Sequence, residues 1–346
     1  VVMEVMPSPS AEEVGALPAS FDWRSNGGNF MTPVKDQGMC GSCWAFAATG
    51  VTESAHEIAN NNPALNMNLS EQYMVSNCLF GHHCCGGIHY SALNYIKNTG
   101  IPNESCMPYV DGSGCSCGGG SCDSNCAYSS SGICSDRTCS DRCSTYASQL
   151  TNISSYGSVN NAVNDVKTAV YNKGPLSVTI YMGGSFSGGK YYCANDSATP
   201  NHAVIITGWT SDGAWIVKNS WGSTWNGSGY FLVPYGECNI NNYVYYATQT
   251  SSNIPKPVAP KNYITDTTPT YKWTKVAGAT NYQLQVYKGT TVIYQKLIGA
   301  GGCGTTACTF TPTKILKKGV TYQWRVRALN GNGWGPWSAD ANFYFN

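Results

Sequence analysis

The sequence predicts an α+β unit, a helical part followed by an antiparallel β part, and then a separate all-β sandwich domain. Three observations carry this. Apolar residues recur at helical spacing from Cys43 onward, short β-rich runs separated by Gly-rich turns begin after Pro175, and a second series of alternating strands follows a stretch with three prolines near residue 255. At 346 residues the chain exceeds one usual compact domain, so two or three units each bury a core of their own.

Residues 1–16 read as an N-terminal extension or the remnant of a pro-segment, with no charged stretch leading into an apolar core. Trp44, Ala47, Ala48, Val51, Ala55 and Ile58 make "CWAFAATGVTESAHEIAN" a buried amphipathic helix with Cys43 in its first turn. Further helices are predicted around 91–97, closed by Gly100, and around 159–171, closed by Gly174. Residues 106–143 are crowded with cysteine and poor in large aliphatics, so this insertion depends on disulfides for its order. Zinc knuckles would need more regular Cys spacing than "CSCGGGSCDSNC" offers, and no metal or cofactor is expected. The runs "LSVTIYM", "HAVIITGW", "GAWIVKNSW" and "GYFLVPY" predict an antiparallel sheet or barrel, which completes a first domain over 17–250. Residues 251–259 read as a Pro-rich linker. The alternating strands of 260–346 read as the sandwich.

Charge excludes several function classes. With 20 Lys+Arg against 19 Asp+Glu, a net charge of +1, and 11% charged residues, the chain as a whole favours neither nucleic acid nor an anionic membrane. No apolar run reaches the roughly 18 residues of a membrane span. Seventeen cysteines point to an oxidising, extracytoplasmic setting, and their odd number leaves at least one thiol unpaired.

Four residues carry the chemistry: Gln37 in "DQGMCGSCW", Cys43 six positions later, His202 in "NHAV" and Asn219 in "KNSWG". Each alone has a plain structural explanation. Together they meet the needs of thiol catalysis. A thiol attacks only as thiolate, and its pKa falls at a helix N-terminus beside an imidazolium. The imidazole of His202 would take the thiol proton and deliver it to the leaving amine, with the Asn219 amide fixing its tautomer. The Gln37 amide and the Cys43 backbone N–H would hold the oxyanion.

In this order and spacing, "QGMCGSCWAF", "CCGG", "NHAV" and "NSWGSTW" resemble the papain-like cysteine peptidases over roughly residues 17–250. The resemblance implies a papain-like two-lobe fold, a helical lobe and an antiparallel β-barrel lobe with the active site between them, and peptide-bond hydrolysis through an acyl-thioester on Cys43. It implies a zymogen, polypeptide substrates, and a pro-segment or protein inhibitor as partner. Gly86 and Gly87 would face the substrate backbone, Trp221 would cover the His202–Asn219 bond, and Ile88, His89, Thr179, Ala203 and Tyr243 would line an apolar pocket for the second residue upstream of the cut, with Tyr243 at its base. It further implies the disulfides Cys40–Cys84 and Cys193–Cys238. The insertion holds no histidine, unlike the cleft-blocking loop of cathepsin B-like members, so internal cleavage is expected.

The strands after 260 resemble a fibronectin type III domain, chiefly through "YQWRVRALNGNGWGPWS". Cys303 and Cys308 are expected to close a local bridge there. The domain reads as a spacer or as a binder of polysaccharide or a cell-surface partner. A secreted endopeptidase is therefore the leading reading, and an adhesion or carbohydrate-binding protein on an inactive peptidase scaffold is the alternative.

Overall fold

Cys43–Ala59 form a single helix, α1, flanked by Ser42, whose carbonyl accepts the N–H of Ala45 and Phe46. Ala45, Ala47, Ala48 and Ala55 keep it slim, and it is buried on almost every side, so it runs through the interior instead of lying on the surface. The computed structural model describes residues 4–118, 121–122, 124–249, 254–276, 278–330, 333–335 and 337–346. No described helix is long and apolar enough to cross a membrane.

A second helix, α2, spans His89–Asn98 and buries Ala92, Leu93 and Ile96. The third, α3, spans Val163–Lys173 and ends at Gly174. The predicted start at 159 is thus four residues early. Val159 closes a strand, Ser155–Val159, that is paired along its whole length with Val244–Thr248, and ladder pairing overrides the helical spacing of Val159 with Val163 and Val166.

The eight-stranded main sheet of the first unit is built from β1 Glu4–Val5, β2 Phe21–Asp22, β3 Ser155–Val159, β4 Leu176–Ile180, β5 His202–Trp209, β6 Ala214–Lys218, β7 Tyr230–Pro234 and β8 Val244–Thr248. Its open path runs β1-β3-β8-β4-β5-β6-β7, with β2 alongside β5. Every pairing is antiparallel except β1 on β3. All eight residues of β5 are buried, because β4 and β6 flank it and α3 packs against it. The N-terminal segment joins this sheet: β1 extends its edge, Ser8 Oγ donates to Asp165 at 2.9 Å, and Ser10 caps a short helical segment at Ala11–Gly15.

Helix α1 also carries charge inward. Glu53 is 1% exposed and accepts from Lys35 Nζ at 3.2 Å, the Leu69 N–H at 2.8 Å and Thr32 Oγ1 at 2.5 Å, which satisfies both its oxygens. Glu57, one turn on, is equally buried, and its Oε2 has no hydrogen-bond partner. Burial first, and the neighbouring Glu53 charge, push Glu57 up to about 7 from 4.5. Its folded value lies above its unfolded one, so the native state holds the extra proton and its stability falls as pH rises from about 4.5 through 7. Glu57→Gln is expected to flatten that slope and to stabilise the protein by about 1–2 kcal/mol at pH 8 and by almost nothing at pH 4, read by urea unfolding. An unchanged slope would contradict the assignment.

The second unit comprises 251–346 together with 59–62, and the first 1–58 with 63–250. Two sheets face each other in the second unit: β9 Pro257–Ala259, β11 Tyr271–Thr274 and β14 Ala307–Phe310 form one. The other runs β10 Asn262–Ile264, β17 Ala341–Phe345, β15 Val320–Asn330, β12 Asn281–Lys288 and β13 Thr291–Gly299, with β16 Gly333–Trp334 alongside β15. Strict alternation puts Tyr282, Leu284, Val286, Trp324, Val326, Phe343 and Phe345 inside. The sandwich begins earlier than its composition suggests. Residues 257–259, read as the end of a linker, are an edge strand on β11, a position that tolerates Pro257. Residues 251–253 of that linker lie outside the described residues. The predicted order of helical part, β part and sandwich is the order observed.

Candidate active site

The site is assembled by the N-terminus of α1 on one side and the start of β5 on the other. Cys43 is the first residue of α1, where the backbone N–H groups have no intrahelical acceptor. It is the single cysteine outside a disulfide. His202 opens β5, and Asn219 follows β6, which is paired with β5. The Cys43, His202 and Gln37 side chains line one open cavity of about 490 Å³.

The histidine's tautomer follows from its partners. Asn219 Oδ1 accepts the Ser220 backbone N–H at 2.8 Å, which identifies that atom as oxygen, and it lies 2.8 Å from His202 Nε2. Nε2 therefore carries the proton, and the Nδ1 lone pair of the neutral ring is left as acceptor. The Trp221 ring lies over the imidazole at 4.7 Å and is itself braced edge-on by Trp225 at 5.2 Å. Asn219 and His202 are 3% and 7% exposed, so this pair is shielded from water.

Burial pushes the Cys43 thiol up, partly offset by backbone N–H groups directed at the sulfur, and pushes His202 down to about 4 against the Asn219 hydrogen bond. Either charge alone is costly here. A proton passed from sulfur to Nδ1 creates the two charges together, each screening the other, with the positive end of α1 beside the sulfur.

Gln37 is held on three sides. Its backbone N–H donates to Ser220 O at 2.8 Å, its Oε1 accepts from Ser220 Oγ at 2.6 Å, and its Nε2 donates to Cys40 O at 2.9 Å. One Nε2 hydrogen remains for a ligand. Gly86 adopts φ +123°, a conformation side chains rarely enter, and a Cβ on Gly87 would lie 2.4 Å from the Trp44 ring. Both glycines line the cavity, as do His89, Thr179, Ala203 and Trp221.

Two residues expected in the pocket are not in its lining. Ile88 is 48% exposed as the residue preceding α2, and Tyr243 is 53% exposed ahead of β8, contributing its carbonyl to the Thr179 N–H. Tyr245, two residues on, packs edge-on against His89 at 4.8 Å. Alternation along β8 would have identified it. The expected apolar wall is also more polar: His89 Nδ1 is hydrogen-bonded to Ser177 Oγ, and the Thr179 hydroxyl has no partner. Burial holds His89 down to about 3, so its ring is neutral. Met39, Pro200 and Asn201 also line the cavity; none is among the expected site residues, although Met39 and Asn201 lie within the "QGMCGSCWAF" and "NHAV" motifs.

The structure pairs Cys40 with Cys84, Cys193 with Cys238 and Cys303 with Cys308. Within the insertion, Cys106–Cys143, Cys115–Cys126 and Cys122–Cys134 are bonded, and Cys78–Cys139 and Cys85–Cys117 tie it to the preceding chain. Cys85 and Cys117 thereby form part of the cavity wall. His82 and His83 are half-buried, with His82 against the Trp44 ring at 5.4 Å.

Residues 17–248 match a family model described as papain family cysteine protease, and 255–344 match the fibronectin type III domain. The probable cysteine protease RD21C of Arabidopsis thaliana is 34% identical over 72% of this chain and 52% of its own length. The chain spans between 52% and 66% of the length of the first curated relatives it matches. Among solved structures, the digestive procathepsin L2 proteinase of Tenebrio molitor larval midgut superposes with a TM-score of 0.57 at 29% identity, covering 71% of this chain and 74% of that one. The Carica candamarcensis cysteine protease CMS1MS2 in complex with E-64 superposes with a TM-score of 0.51 at 26% identity, covering 67% and 99%.

Proposed function

Since the chain belongs to the papain family of cysteine proteases, we propose that it is a secreted endopeptidase that cleaves polypeptides through a thioester on Cys43. The observation that carries this is the unpaired Cys43 at a helix N-terminus in one cavity with His202, whose ring is held in the proton-accepting tautomer by Asn219. His202 Nδ1 takes the Sγ proton, and the thiolate adds to the scissile carbonyl carbon. The oxyanion is held by the Cys43 N–H and the spare Gln37 Nε2 hydrogen. The imidazolium then protonates the leaving amine, which departs as the thioester forms. Water, deprotonated by the same nitrogen, releases the acyl group and restores the thiol.

Cleavage within chains is favoured because, among the described residues, no Lys or Arg lines the cavity to grip a terminal carboxylate. The insertion has no histidine, and neither Arg137 nor Arg142 lines the cavity. Arg142 is engaged instead with Cys139 O at 2.7 Å and the Tyr146 ring at 4.0 Å. The neutral His89 ring, backed by Tyr245, offers a flat wall without charge, which suits an apolar or aromatic residue at the second position upstream of the cut. Synthesis as a zymogen and export through an oxidising compartment accord with the eight disulfides and the procathepsin relative.

Incubation with E-64 followed by peptide mapping tests the reading. One adduct on Cys43, formed in step with loss of activity, is the expected result. Full activity with no adduct, or an adduct elsewhere, would overturn it.

A further inference from the structure

The near-neutral total hides a division of charge. Residues 251–346 hold eleven Lys and Arg against two Asp, a net +9, whereas residues 1–250 hold nine against seventeen Asp and Glu, a net −8. Within the second unit, the outward face of the β12–β15 pair concentrates two of these charges in an ordered array. Arg325 and Arg327 alternate with aromatic rings: Arg325 stands over Tyr287 at 5.0 Å and Trp337 at 4.5 Å, and Arg327 over Trp337 at 4.5 Å and Trp334 at 4.8 Å. Cross-strand glutamines orient both groups. Gln285 Oε1 accepts from Arg325 Nε at 3.1 Å and Nη2 at 3.0 Å, and Gln283 Oε1 accepts from Arg327 Nε at 2.8 Å, each pair directly opposite in register.

Every described partner of these guanidinium groups is neutral. No carboxylate lies within ion-pair distance of either among the described residues. Most of their N–H donors, including all those on Nη1, are unspent, while stacking and the amides fix the planes. Two ordered, unneutralised forks side by side are an anion-binding arrangement, and the basic surplus of the unit extends the field around them.

We propose that this face binds an acidic polysaccharide, Arg325 and Arg327 gripping its carboxylate or sulfate groups. The stacked rings decide against the other polyanions. Trp337 is already engaged by both guanidinium groups, each 4.5 Å from its ring centre, so it is not a free platform for nucleic-acid bases. The amides and guanidinium groups at the centre of the array present no apolar wedge to a bilayer. This inference stands on the second unit alone and is independent of the peptidase reading.

The test uses the full chain on immobilised heparin, with polygalacturonate as a second probe and neutral dextran as control. Retention on both acidic polymers, lost with rising NaCl and absent on dextran, is expected. Arg325→Gln with Arg327→Gln should weaken binding at least about tenfold. Lys317→Gln with Lys318→Gln, which removes the same charge from the exposed turn before β15, should change it less than about threefold. Equal losses in the two double variants would overturn the proposal, as would tighter binding of duplex DNA or phosphatidylserine vesicles than of heparin. If the arginine variant fails to fold, hydrogen exchange on the wild-type chain decides: heparin should protect 281–288 and 320–330, and no protection there overturns the proposal.

Discussion

Cys43→Ala is expected to lower kcat/KM for peptide hydrolysis at least ~10³-fold while leaving the fold intact. The two halves of that result have separate causes. Chemistry is lost because the other sixteen cysteines are all bonded in pairs, so no neighbouring thiol can replace the sulfur. The fold survives because alanine is the best helix former and the position is the first of α1, where the side chain closes no bridge. Circular dichroism and a melting curve would report the second half, and hydrolysis of a fluorogenic peptide the first. Cys43→Ser separates nucleophile from shape: the hydroxyl fills nearly the same space, yet it holds its proton far more tightly than a thiol does, so His202 should not ionise it and the variant should be as inactive as alanine. Substantial turnover in either variant would place the nucleophile elsewhere.

What could be read in the sequence follows from how far each feature reaches along the chain. Gln37 and Cys43 lie six positions apart in one short segment, and the helix that begins at Cys43 is written in its own alanines. His202 and Asn219 are legible for the same local reason, each within four or five residues of motif. Their meeting is a property of the β5–β6 pairing, which alternation implies but does not register. Features that depend on register were harder. Tyr243 and Tyr245 share one side of an alternating run, and only the pairing of β8 with β4 shows that Tyr245 backs the cavity while Tyr243 precedes the strand. Disulfide connectivity in the insertion needs distances no spacing supplies. Strand β9 was hidden because proline composition resembles a linker whenever its edge partner is unknown. The division of charge was in plain view and was lost by adding the two halves together.

Gln37→Glu is expected to lower kcat/KM by about 10²–10³-fold with the thiol still reactive. In the native site the amide has both ends committed. Oε1 receives the Ser220 hydroxyl, which fixes the plane, and Nε2 donates one hydrogen to Cys40 O and keeps the other for the oxyanion. Glutamate preserves the shape and the Ser220 contact, but the end facing Cys40 O becomes an acceptor. A carbonyl and a carboxylate oxygen then face each other at roughly hydrogen-bond distance, and a negative charge stands where negative charge must develop in the transition state. The second effect grows as the tetrahedral intermediate forms and is weaker in the bound substrate, so the loss should fall on kcat with KM little altered. Gln37→Ala removes the donor without adding charge and should lose less, about 10²-fold, close to the usual cost of one oxyanion donor. The rate of Cys43 alkylation by a small haloacetamide separates this role from one in activating the nucleophile, because that reaction forms no oxyanion. Near-normal alkylation in the alanine variant, alongside depressed turnover in both, is the expected pattern. Parallel loss of alkylation and turnover in Gln37→Ala would instead make Gln37 a residue that positions Cys43 and His202.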